Sequence, residues 1–202
     1  MAELRRLLDE YLEAFHRAGG TPPPMAPGLP EPEIRERLTE AGFTATQEII
    51  DWFNWCNGVT PARGRGWPIA PGGLIPVSLE ESICELIPEG RYDAGEAAKW
   101  GAHTEEQENP EYWWPRTWLP IGFFDATKFV ADTSSPDGVH CPLAEVTYSE
   151  KVPMASSISI AVQYWIDALN AGCVKWVDGI AHQEPRWGPP WPPRPEPGMI
   201  PC

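Results

Sequence analysis

Histidine, cysteine and basic residues are scarce in this chain, and each scarcity narrows what it can do. The four histidines, His16, His103, His140 and His182, stand far apart. A structural zinc site needs about four converging ligands. The one adjacent His/Cys pair, His140-Cys141, falls on neighbouring positions that would point to opposite faces of a strand. No metal and no cofactor is expected. The five cysteines, Cys56, Cys84, Cys141, Cys173 and Cys202, form an odd set without a C-x-x-C. Reduced thiols in a cytoplasmic protein are the simplest account of them. No stretch approaches the ~20 apolar residues of a membrane helix. Met1 to Ala18 carries charge throughout and lacks the apolar centre of a leader peptide. Lysine and arginine total 15 against 29 acidic residues, a net charge of −14. Such a field repels phosphate backbones and anionic lipid, so neither nucleic acid nor membrane is an expected partner. A basic protein is the partner it would attract.

Tryptophan and proline are plentiful. Eleven Trp and a 42% hydrophobic content can fill a sizeable core. The 25 Pro concentrate in Thr21 to Pro32 and in the tail from Gln183, which holds eight of them. Neither stretch suits a helix interior or a central strand, because Pro lacks the N–H donor and fixes φ. In the tail, Pro190 and Pro193 complete a P-x-x-P pattern, but a surface-draped tail is the simpler expectation.

Between the Pro-rich stretches the periodicity is clear. Leu4, Leu7, Leu8, Tyr11, Leu12 and Phe15 recur at helical spacing up to Gly19-Gly20. The segment 21–30 reads as a linker. A second helix is expected from Glu31 to Ala41, stopped at Gly42. A third opens at Thr46, whose hydroxyl is expected to cap it, and ends at Asn57-Gly58. A loop over 59–73, a short strand over Leu74–Val77 and a short helix over Ser78–Ile87 follow. Residues 88–115 form an acidic insertion. Trp118–Phe124, Lys128–Thr133 and Val139–Tyr148 read as strands of an antiparallel meander, with a turn at Ser134–Gly138. Ser156 or Ser157 caps a last helix, in which Ile158, Val162, Trp165, Ile166 and Leu169 share a face up to Gly172. Residues 173–202 are left as tail. Helices, then strands, then a helix predict an α+β fold, a central antiparallel sheet flanked by helices.

Three pieces of this pattern resemble the SUKH (Smi/Knr-like) superfamily: the helix Glu48–Gly58 ending in Asn-Gly, the strand Trp118-Leu119-Pro120-Ile121-Gly122-Phe123-Phe124 followed by one reaching Asp132, and the closing helix with Ser157 to Leu169. They place the similar unit over residues 31–172, with helix 1–20 and linker 21–30 before it and the tail after it. The resemblance implies a non-enzymatic protein: a bacterial immunity protein that binds and occludes a cognate toxin. The alternative it implies is a regulatory interaction hub like the fungal cell-wall regulators. Phe123-Phe124-Asp125-Ala126 departs from the glycines that family members often carry there, and the acidic insertion is unusual.

The residues themselves show no catalytic constellation. Asp125, Asp132 and Asp137 are acidic, but no base, nucleophile or oxyanion donor accompanies them, and Asp in turns serves backbone N–H groups. Arg63-Gly64-Arg65-Gly66 lacks the pattern of a phosphate loop, since Trp67-Pro68 follows. It is read as a solvated loop, with anion or partner contact as the alternative. Trp52 and Trp55, at helical spacing, read as core. Tyr112, Trp113 and Trp114 follow Glu105, Glu106, Glu108 and Glu111. Aromatics rimmed by charge suit a protein interface, and covering a sheet edge is the other reading. The expected toxin-binding surface is therefore Tyr112, Trp113, Trp114, Glu105, Glu106, Glu108, Arg63 and Arg65.

Overall fold

A computed structural model describes residues 3–59, 74–85, 114–124, 126–147, 150–177 and 180–183. The chain is α+β. Its centre is a five-stranded antiparallel meander of β3 (Ile75–Pro76), β4 (Trp118–Phe124), β5 (Thr127–Asp132), β6 (Leu143–Thr147) and β7 (Glu150–Ala155), in that spatial order. Helices α1 (Glu3–Arg17), α2 (Glu31–Glu40), α3 (Gln47–Trp55) and α4 (Ile158–Asn170) build the core with it. Two small two-stranded sheets complete the described parts: β1 (Met25–Pro27) with β2 (Cys56–Val59), and β8 (Val174–Val177) with β9 (Ile180–Gln183).

Strand periodicity divides the meander into two faces. Leu119, Ile121, Phe129, Ala131 and Leu143 pack inward against α1, α3 and α4 in the main core. The alternate residues Trp118, Val130 and Val146 point outward and form a second cluster with Trp114. Register supports the assignment: Val130 opposes Ala144, Lys128 opposes Val146 and Lys151 opposes Val146 from the far side.

Several expectations change at this level. The first helix is no appendage: its apolar stripe is buried in the main core, and Tyr11 meets Trp165 of α4 with ring centroids 5.9 Å apart. Nor is 21–30 a free linker. Met25 pairs with Val59 and Pro27 with Cys56. Leu29 N–H donates to Phe53 O at 2.9 Å, and Asn54 Nδ2 donates to Leu29 O at 2.9 Å. A Cβ at Gly28 would lie 1.7 Å from Asn54 O, so only glycine allows this approach. Helix α3 stops at Trp55, because Cys56 is already extended. Asn57-Gly58 is therefore strand rather than a left-handed helix stop. Gly58 takes φ 85° where its backbone passes Val77-Ser78, and Asn57 Oδ1 accepts from Leu79 N–H at 2.8 Å.

The helix expected from Ser78 is a short turn that runs into π-helical geometry over Glu81–Glu85; residues 86 and 87 lie outside the described residues. Ser82 of this turn donates its hydroxyl to Pro120 O, tying the turn to β4. The third meander strand begins at Leu143, later than expected. Strand β7 has no counterpart in the sequence pattern, since it contains Pro153, which is admissible because β7 ends the five-strand order. The tail expected from residue 173 begins instead with the hairpin of β8 and β9. Cys56, Cys84 and Cys141 are thiols outside any disulfide, whereas Cys173 is disulfide-bonded, so the expectation of reduced thiols throughout fails there. Among the described residues, no helix is long and apolar enough to cross a membrane.

Candidate interaction surface

The outer face of the meander concentrates aromatic surface and cations. Trp114 and Trp118 meet edge to face, with centroids 5.6 Å apart and planes at 79°. Trp114 Nε1 donates to Trp118 O at 2.9 Å, which satisfies the one polar atom of a buried indole. Register brings two lysines onto the same face. Lys128 Nζ lies 5.2 Å from the Trp114 ring centroid, and Lys151 Nζ lies 4.1 Å from that of Trp118. Both distances are within the range in which an ammonium is attracted by an indole face. In a chain of net charge −14, two cations flanking Val146 on one sheet face are a local exception.

This geometry corrects the role given to Trp114. At 2% exposure it is a buried part of the outer cluster and not an exposed anchor for a partner. Covering the sheet is the use it has. The other residues of the expected toxin-binding surface, Arg63, Arg65, Glu105, Glu106, Glu108, Tyr112 and Trp113, lie outside the described residues, as does Asp125. Trp52 and Trp55 are both buried, 5.6 Å apart, as core. Sequence reasoning overlooks Lys128 and Lys151. Their signal is present in the alternation of Lys128 with Val130, but the register that sets Lys151 beside Val146 is a property of the sheet.

The polar chemistry gathers at a different place, where the loop after β5 meets the starts of α3 and α4. Thr46 does not cap α3. Its hydroxyl pairs with Cys141 Sγ at 2.8 Å, while the Gln47 and Glu48 N–H groups donate to Gly138 O and Val139 O. Glu48, an acid in the first turn of α3, serves another helix. Its Oε2 accepts from Cys141 N–H at 2.7 Å and Ile158 N–H at 3.0 Å. Its Oε1 accepts from Ser159 N–H at 2.8 Å and the Ser159 hydroxyl at 2.5 Å. A carboxylate that is 3% exposed thus binds the first N–H groups of α4, where unpaired donors and the helix dipole favour negative charge. Ser157 supplies the remaining cap by accepting from Ile160 N–H, as expected. Burial pushes the Cys141 thiol up to about 12 and the Cys56 thiol up to about 11, so neither is a ready nucleophile near neutral pH.

The acids singled out in sequence act on backbone. Asp132 accepts from Ser134 N–H, and Asp137 accepts from Val139 and His140 N–H. His140 reaches Asp137 while Cys141 is buried, so the pair does not converge. Among the described residues no three His, Cys, Asp or Glu side chains are grouped to hold a metal ion.

No family model matches the chain, and no curated protein matches it.

Proposed function

We propose that this chain is a non-catalytic binding protein of the immunity type, which neutralises a basic toxin by covering its working surface. The observation that supports this reading most is the joint placement of the three segments that resemble the SUKH superfamily. Helix α3, strands β4 and β5, and helix α4 pack into one core, with α4 anchored by Glu48 of α3. A rigid sheet with helices behind it is a suitable platform for occlusion, which needs shape and charge and no reacting group. The net charge of −14 supports a basic partner by raising the association rate. The carboxylates of Asp132, Asp137 and Glu48 are engaged with backbone N–H groups, which also suits a binding role.

The proposed place of action is the cytoplasm of the producing cell, where an incoming toxin must be met. The disulfide at Cys173 argues for an oxidising compartment instead. Alkylation of thiols in fresh lysate decides the matter: a Cys173 that is trapped reduced supports the cytoplasm, and an oxidised one rejects it.

The main test is co-expression with the product of a neighbouring gene for a large secreted protein. Survival of the host and co-elution of the two chains are expected. A toxin that kills regardless, and that forms no complex with the purified chain, overturns the proposal.

A further inference from the structure

We propose that Asp137 and His140 form a pH-responsive clasp on the loop that seats the starts of α3 and α4. The loop itself is organised by one side chain. Asp137 Oδ1 accepts from the Ser135 hydroxyl at 2.9 Å, Val139 N–H at 2.8 Å and His140 N–H at 3.0 Å. Its Oδ2 lies 2.7 Å from His140 Nδ1. One carboxylate therefore sets the course of residues 135–140 and holds the imidazole as well. Gly138 completes the bend with φ 65°, a left-handed conformation that glycine adopts freely.

What that loop does for the fold makes the clasp consequential. Its carbonyls at Gly138 and Val139 take the N–H groups of Gln47 and Glu48, donors that the first turn of α3 cannot satisfy itself. Cys141 N–H, one residue beyond His140, donates to Glu48, and Glu48 in turn binds the first N–H groups of α4. The clasp is thus the exposed end of a bonded chain running through the loop and α3 to α4.

Among the described residues, the charges with the largest influence on His140 have one sign. Asp137 from the loop, Glu48 from α3 and Glu3 from α1 favour the imidazolium, and the hydrogen bond to Asp137 is the largest influence. His140 accordingly titrates above its ordinary value. The same bond, followed by those from Val139 and His140 N–H, holds Asp137 well below the usual carboxylate range. The signs fix the window. The raised His140 contributes stability that is fully present below the unfolded histidine value of ~6.5 and lost as pH rises through its folded value. The lowered Asp137 contributes stability present above ~3.9 and lost as pH falls toward its folded value. The clasp is closed between those limits and relaxes as pH rises through the raised His140 value.

The experiment is an NMR titration of the full chain, with the urea-unfolded chain as reference. His140 should titrate at higher pH in the folded protein, and Asp137→Asn should remove most of the difference. Amide-exchange protection of Gln47 and Glu48, corrected for intrinsic pH dependence, should fall severalfold as His140 loses its proton. It should be flat across the same range in His140→Gln. Equal His140 titration in folded and unfolded chains overturns the proposal. So does unchanged Gln47 and Glu48 protection through the wild-type transition, a reading that requires no variant to fold.

Discussion

The two faces of the meander are built on different principles. The inner face is apolar volume: Leu119, Ile121, Phe129, Ala131 and Leu143 against three helices. It is also the less satisfied side. Tyr11 Oη, Trp52 Nε1 and Trp165 Nε1 are buried there without a hydrogen-bond partner among the described residues. The outer face holds a buried cluster of four residues, two of them Trp, with the buried indole N–H of Trp114 satisfied and a lysine over each ring. Large cores tolerate an unmet donor because many contacts hold the ring, whereas a small cluster depends on each interaction it has.

Truncating one tryptophan on each side tests this most strongly. Trp165→Ala should destabilise the chain by about 3–5 kcal/mol, the range for large aromatic cavities. Trp114→Ala should cost less, about 2–3 kcal/mol, because fewer neighbours lose contact. Urea denaturation of both variants measures the gap, and equal losses would remove the distinction between the faces.

Glu48→Ala probes the junction that ties the inner face together. It leaves the N–H groups of Cys141, Ile158 and Ser159 without their acceptor, so a loss of about 3 kcal/mol is expected. Glu48→Gln, which keeps an acceptor oxygen, should recover part of it in the same assay.

Tyr11→Phe carries the opposite sign. Removing a buried hydroxyl that has no partner among the described residues should stabilise the fold by about 1 kcal/mol. Burial raises the Tyr11 hydroxyl well above its ordinary value. Its contribution is full below the unfolded value of ~10 and declines as pH rises beyond it. Thermal melts from pH 9 upward should therefore show a steeper decline in the wild type than in the variant.

The smallest effect is expected at the surface of the outer face. Lys151→Ala should cost no more than about 1 kcal/mol, the scale of an exposed cation over a ring. Lys151→Met, which keeps an apolar chain over Trp118, separates the charge from the contact, and chemical denaturation of both resolves the two.

Periodicity makes the largest elements of this fold legible in the sequence. The stripe from Leu4 to Phe15 and the face Ile158–Leu169 repeat with the helical period, Trp118–Phe124 is a continuous apolar run of strand length, and all three are the expected element in the fold. Local chemistry is less informative where two segments compete for the same donors. Thr46 looks like a cap, but Gly138 and Val139 already occupy the N–H groups it would serve. Asn57-Gly58 looks like a helix end, but pairing with β1 holds Cys56 in extended form ahead of it. Glu48 looks like an exposed first-turn acid, and no local signal shows that it reaches a helix 110 residues later. Strand β7 is hidden by Pro153, whose meaning depends on whether a strand lies at an edge.

By itself, the sequence determined the α+β class, the acidic field and the positions of the main helices and central strands, because each follows from short-range spacing or from a sum over residues. Only the tertiary structure decided that α1 belongs to the core, that Trp114 is buried in the outer cluster, that Lys128 and Lys151 meet the two indoles, and that Glu48 caps α4. Those outcomes depend on register and on which distant backbone groups remain unpaired after the sheet forms. Neither quantity is encoded in a window of neighbouring residues.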